Sequence, residues 1–554
     1  MATTPIVLKS LPGIKRDGTR YEGDYYVDGQ WVRWQRGLPR KIGGYTVINR
    51  YLTEVSRGVK TFTENGLTYF HSGSASFVER FTIDGSGNTS LIADRTPITY
   101  AVSDDNLWQF DVIYDSQSIP AANMIVAQVA PNAGCLCNTD GGQIFIGSMT
   151  GTDRLTAVTT FPAGVSATGG VVSLHPYLMY FGNDGVIGWS VAGAPTDLTG
   201  VGSGNARVAG QKIVRGLALR GGPGNAPSGL FWSADAVIRG SFVGGTEVFQ
   251  FDTISPYSSI LSAASVIEYD GQYFWLGTDR MLMFNGVVRE IPNNLNINYF
   301  YDGLNRAAAQ RVWAFKVPRY GEIWWCYPRG NATECTHAII YNVRENTWYD
   351  TELPNGGRTA GEWSPLYAAP FLCGLQTSTF VPNNRVTEAG DLRITQDGDQ
   401  RVVVPEEGYK VWQHEHNVNE IDGQFITAVP SFFETADMSM LVPQGGSKNK
   451  WIRVEAIEPD FVQSENMTVQ LTGRANAKAL EVQGPERVIY AIPTDPYEQI
   501  VWFKEERREL RFKFTSNTIN GDYQMGQIIA HVGEADGSML GGVVGGSTWS
   551  RSPL

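Results

Sequence analysis

The run at residues 265–292, SVIEYDGQYFWLGTDRMLMFNGVVREIP, limits the possible folds more than any other stretch. Val266, Glu268 and Tyr269 lead into a turn at Asp270-Gly271, and Gln272–Leu276 follows, rich in Tyr, Phe and Trp. Gly277-Thr278-Asp279-Arg280 turns the chain again. Met281–Phe284 and residues 287–291 then flank Asn285-Gly286, the dipeptide that most strongly signals a hairpin. Four short strands joined by tight turns make one up-and-down antiparallel sheet. A sheet that small is not stable alone and needs copies to stack against.

The chain supplies them. Strand runs at 59–62, 67–71 and 77–83 form one set, and 107–114, 124–129 and 144–148 another. Further sets fall at 171–191, 213–233 and 312–351, with a looser one between 366 and 404. From Val171 onward, corresponding strands begin about 45–50 residues apart, the spacing of four-stranded propeller blades. The fold class is therefore all-β, a β-propeller of five to six blades over residues 51–420. Each set carries aromatics in its inner strands: Tyr180 and Trp189, Phe231 and Trp232, Phe274 and Trp275, Trp324 and Trp325. Such a stripe suits either packing between blades or a stacking platform for sugars or bases, and packing is the commoner cause.

Two segments lie outside the repeat. Residues 1–50 read as an extended arm whose segment QWVRWQRGLPRKIGGY combines Trp31 and Trp34 with Arg33, Arg36, Arg40 and Lys41. Aromatic and arginine side chains are common interface anchors, so these six are candidate docking residues. The plainer alternative is a strand pair that closes onto the first sheet. Beyond Asp422-Gly423 the strands lengthen and alternate cleanly, as in Leu510-Arg511-Phe512-Lys513-Phe514, which predicts a C-terminal β-sandwich over 421–535. Residues 536–554 are a Gly-rich tail.

Composition excludes several functions. The 554-residue chain has 62 Gly, 27 Pro and only 18% charged residues, which suits short strands and turns rather than disorder. A net charge of −12 is no global footprint for gripping nucleic acid. Five scattered cysteines do not suggest a disulfide framework. The N-terminus has no apolar run of signal-peptide length. The charge-poor regions 116–139 and 155–183 are broken by Pro and Gly, so no leader or membrane anchor is expected.

Motifs with chemistry are few. There is no G-x-S-x-G and no H-E-x-x-H. Gly445-Gly446-Ser447-Lys448 lacks the spacing of a phosphate loop, and Gly221-Gly222-Pro223-Gly224 lacks a strand-to-helix context. His414-Glu415-His416 is half a metal site without a third ligand at a recognisable spacing, and Cys135-x-Cys137 is weaker. Asp84-Gly85-Ser86-Gly87-Asn88 alternates oxygens as calcium loops do but lacks their later Gly and Glu. The Ser-x-Asp-x-Gly-x-Thr-Trp box of propeller glycosidases is absent. No catalytic residue, cofactor or metal is expected, and the chain reads as a non-enzyme.

Four stretches carry a resemblance: YVDGQWVRWQRGLPRKIGGY at 26–45, residues 231–292 beginning FWSADAVIRGSFVGGTEVFQF, EAIEPDFVQSENMTVQLTGR at 455–474, and KEERRELRFKFTSN followed by YQMGQIIAHV within 503–532. In their order and texture they resemble the tail nozzle proteins of short-tailed bacteriophages, also described as tail tube or packaged-DNA stabilisation proteins. The resemblance implies a structural virion protein made in the host cytoplasm. It implies a ring, usually a hexamer, below the portal and its head-to-tail adaptor. Tail fibres or tailspikes would bind its side, with a tip or needle protein as a further partner, and double-stranded DNA would pass through unbound. Six copies would carry 6 × −12 = −72, and an acidic body keeps a duplex mobile; Arg511 and Lys513 are the residues that would face the lumen as basic rungs. The rival function is a carbohydrate-binding or carbohydrate-cleaving propeller used in receptor recognition.

Overall fold

The computed structural model describes residues 3–19, 24–98, 106–131, 142–219, 226–376, 383–384, 402–403, 408–439, 451–476, 478–492 and 500–535. Ile267–Tyr269, Gln272–Leu276, Met281–Phe284 and Val288–Glu290 form the four-stranded antiparallel sheet that the sequence predicts. Asp270 (φ 52°) and Gly271 (φ 74°) are both left-handed, the geometry that a two-residue hairpin turn demands. At the next hairpin Phe284 pairs with Val288 and only Gly286 has positive φ, so that loop is one residue longer than Asn-Gly alone suggests.

Five more four-stranded sheets and one six-stranded sheet surround an axis with it. The first is Gly58–Glu64, Leu67–Gly73, Val78–Ile83 and Ala93–Asp94, and the second starts at Asn106–Asp115. The third, fourth and sixth begin at Gly170–Leu174, Ile213–Ala218 and Trp313–Val317. The seventh joins Ala360–Ser364, Ala369–Gln376 and Gly408–His414 to a strand from the other end of the chain, Tyr45–Leu52. That strand pairs antiparallel, Tyr45 opposite His414 and Leu52 opposite Tyr409, and closes the ring. Among the described residues the propeller therefore has seven blades where five to six were expected. The extra blade was hidden because its closing strand lies in the segment read as an arm.

The second strand of each blade is covered on both faces by its neighbours, so it is buried along most of its length rather than on alternate residues. All six residues of Glu322–Tyr327 are buried. Trp232 and Trp275 meet edge-on at 5.6 Å between the fourth and fifth blades. Between the fifth and sixth blades lies a seven-residue α-helix, Ile297–Gly303, that the sequence did not signal.

The sandwich begins later than expected, because Asn419–Asp422 and Phe425–Ala428 extend the seventh blade. One sandwich sheet holds Val501–Arg507, Trp451–Gln463 and Tyr523–Ala535 together with Leu38–Lys41, Val32–Gln35 and Thr4–Leu8. The other is built on Ser431–Glu434, Glu509–Ser516 and Met467–Arg474, with Asp28–Gln30 added at one edge. Leu510, Phe512 and Phe514 fill the space between the sheets, as their alternation predicts. The same apolar cluster continues through Trp34, Trp324, Tyr349 and Trp412 into the sixth and seventh blades, which makes propeller and sandwich one packed body.

Candidate functional site

The six residues offered as a docking arm divide sharply. Trp31, Arg33, Trp34 and Lys41 are buried inside the chain, which corrects their reading as surface anchors. The Trp31 ring packs edge-on against Tyr45 and Trp324, and its Nε1 donates to the Gly43 carbonyl at 3.0 Å. Arg33 is fully buried between two blades. It donates through Nη1 to Glu415 at 3.0 Å and through Nη2 to Glu322 at 3.1 Å. Burial works to lower the Arg33 pKa, but Glu322 and Glu415 outweigh it and hold the guanidinium above its ordinary value. Lys41 donates to the Gly521 carbonyl at 2.6 Å, and burial pulls its ammonium down to about 8 against the attraction of Asp522. A buried charge persists only when paired, so these residues stitch the N-terminal segment into the fold. Arg36 is exposed at a tight hairpin tip (φ 55°, Gly37 φ 73°) whose two N–H groups donate to Glu345. Arg40 is half-buried and donates to Gln35 at 2.9 Å.

The other candidates resolve as structural. Gly408–His414 ends at the first histidine of His414-Glu415-His416, and Glu415 (φ 57°) turns back to Arg33. His414 is buried and its Nε2 accepts from Arg358 Nε at 3.1 Å, while His416 sits at the surface beside Thr46. The two imidazoles therefore share no ligand set. Among the described residues no three His, Cys, Asp or Glu side chains converge on one point. Asp84 closes its own exposed turn by accepting from Ser86 and Asn88, and the Asn88 amide leads in keeping its carboxyl low. Arg511, expected as a basic rung, is buried against Glu434, Asp437 and Glu481. Lys513 is half-buried over the Phe432 ring. Cys135, Cys137, Gly221–Gly224 and 445–448 lie outside the described residues.

The tryptophans are mostly interior. Of those described, only Trp363, Trp451 and Trp502 are not buried, and Trp502, at 48% exposure, is the most open.

The polar site that the sequence reading missed is on the propeller axis. A cavity of about 630 Å³ is lined by the first strands of all seven blades. Arg57, Lys60, Lys212, Arg215, Arg311 and Lys316 line it against Asp111, Glu268 and Glu362. Several of these groups join one blade to the next. Glu362 of the seventh blade accepts from the N–H and the hydroxyl of Thr61 in the first, and from Lys60 Nζ at 3.1 Å. Asp111 of the second blade accepts from the Ser173 N–H of the third at 2.8 Å. Gln109 donates to the carbonyls of Gly169 and Val214 at 2.7 and 3.0 Å, spanning three blades. Lys316 donates to Glu268, and Arg57 and Arg311 share Glu334. Lys60 is raised above its ordinary pKa, chiefly by Glu362. A signal was present in the chain: Lys60, Arg215 and Glu362 each occupy the third position of a first strand.

No family model and no curated protein matches the chain. Solved structures similar to it are propellers. The WD40 β-propeller domain of Doa1 is 12% identical, with a TM-score of 0.37, over 59% of this chain and 93% of that one. Regucalcin from Agrobacterium tumefaciens, described as a calcium-binding protein, is 11% identical, with a TM-score of 0.31, over 69% of this chain and 97% of that one. The all-β propeller itself is defined by the strand pairing described above.

Proposed function

We propose that the chain is a structural virion protein, the tail nozzle of a short-tailed bacteriophage, assembled as a ring below the head-to-tail adaptor. The observation that carries the reading is where the aromatic side chains go. An exposed Trp cluster beside paired carboxylates would favour a propeller that binds or cleaves carbohydrate. Here most of the described tryptophans are interior, and the axial carboxylates Asp111 and Glu362 are engaged by backbone N–H groups of neighbouring blades. That favours the scaffold over the carbohydrate rival. The interleaved N-terminal segment makes propeller and sandwich one rigid body, as a load-carrying tail component requires. The partners in this reading are further copies of the chain, the adaptor, fibres or tailspikes, and a tip or needle protein. Duplex DNA passes without specific binding.

Antibody labelling of intact particles in the electron microscope tests the proposal. Label confined to the tail below the adaptor supports it. A chain absent from particles, or one that retains glycans on an array, favours the rival.

A further inference from the structure

The axial cavity has an uneven supply of hydrogen-bonding groups. Six basic side chains line it against three carboxylates, with Glu334 shared by Arg57 and Arg311, although the chain as a whole is acidic at −12. Within a concave, protein-walled space such a reversal of sign concentrates anions. Its carboxylates are already engaged: Asp111 Oδ2 by the Ser173 N–H, Glu362 by Thr61 and Lys60. Arg215 is attracted by Asp111 and Glu362 but hydrogen-bonds to neither. Its guanidinium makes one long bond, Nη1 to Gln109 Oε1 at 3.4 Å, and its Nε is buried without a partner. Gln109 cannot do more for it, because its amide nitrogen is held by two carbonyls and so fixes the orientation of the side chain. A guanidinium is a planar fork of five donors suited to carboxylate or phosphate oxygens. The volume is in the range of small-molecule sites.

We propose that the axial cavity binds a small multivalent oxyanion, phosphate-bearing or polycarboxylate, on the Arg215 guanidinium with Lys60 beside it. The ligand would supply the acceptors that Arg215 lacks. It would bridge the first and fourth blades across the axis, as the two residues belong to Gly58–Glu64 and Ile213–Ala218. This site is independent of the nozzle reading: it concerns the bore of one propeller, not the channel of a ring.

Isothermal titration of the full-length chain with inorganic pyrophosphate and, separately, with citrate tests it. One site per chain is expected for at least one probe; preference for pyrophosphate marks a phosphate ligand and preference for citrate a polycarboxylate. Arg215→Met should weaken binding about tenfold or more, the scale of a charge-assisted hydrogen bond. Arg215→Lys keeps the charge but not the fork and should weaken it severalfold, which keeps the test decisive if the methionine variant does not fold. Arg239→Met, which breaks an exposed pair with Asp252 away from the cavity, should bind as the unaltered chain does. Absence of saturable binding with both probes would overturn the proposal. So would unchanged affinity in whichever Arg215 variant folds.

Discussion

Replacing Arg33 by methionine tests whether the N-terminal segment is part of the core. Methionine keeps the length and apolar stem of the side chain and removes its charge. Glu415 lies nearer solvent and can rehydrate, but Glu322 is fully buried. Without Arg33, Glu322 keeps two neutral donors, the Tyr349 hydroxyl at 2.6 Å and Trp324 Nε1 at 2.9 Å. Burial already pushes the Glu322 carboxyl up against the pull of Arg33, so in the variant it takes up a proton. The cost is bounded by that protonation. From an ordinary value of 4.5 to pH 7 is 2.5 pH units at about 1.4 kcal/mol each, roughly 3.4 kcal/mol. That agrees with the about 3–5 kcal/mol typical of breaking a buried pair. At pH 5 the same argument leaves about 0.7 kcal/mol. Urea unfolding followed by tryptophan fluorescence at both pH values measures the difference from the unaltered chain. Adding Glu322→Gln to Arg33→Met should recover much of the loss at pH 7. A loss below about 1 kcal/mol at pH 7, or one equal at both pH values, would refute the reasoning and return Arg33 to the surface.

Three further outcomes follow from the same geometry. Deleting residues 1–52 removes the closing strand of the seventh blade and four sandwich strands, and should abolish soluble folded protein by circular dichroism rather than merely weaken attachment. Burial, and then Arg358, hold the His414 imidazole well below its ordinary pKa, so the unfolded chain binds the proton that the folded chain refuses. Its contribution is full above pH 6.5 and is lost as pH falls below that value, at up to about 1.4 kcal/mol per pH unit; His414→Gln should reduce the acid slope of the urea midpoint by that amount, and an unchanged slope would contradict the assignment. Assembled particles or rings titrated with short duplex DNA should bind weakly with little dependence on salt, since Arg511 is consumed by three carboxylates; tight binding that collapses as salt rises would show a basic track.

What the sequence revealed was local. The four strands from Ile267 to Glu290 could be read because each is bounded by its own turn residues, with both central residues of Asp270-Gly271 in the left-handed region. The apolar alternation of Leu510, Phe512 and Phe514 likewise shows within five residues. Non-local pairing was invisible. Tyr45–Leu52 completes a blade whose other strands begin at Ala360, and nothing in its own sequence names that partner. Arg33 looks like a surface residue because arginine usually is one; Glu322 and Glu415, 289 and 382 residues away, make its burial tolerable. The axial groups were missed for a related reason. Lys60, Asp111, Arg215 and Glu362 are ordinary strand residues until ring closure brings them to one axis.

The central claim, a structural ring in a virion tail, is tested most directly by cryo-electron microscopy of the purified chain mixed with adaptor-capped heads. The account predicts a closed ring, six-membered by the resemblance, seated on the adaptor and built from intact propeller-plus-sandwich bodies. A chain that remains monomeric when offered those particles would contradict it.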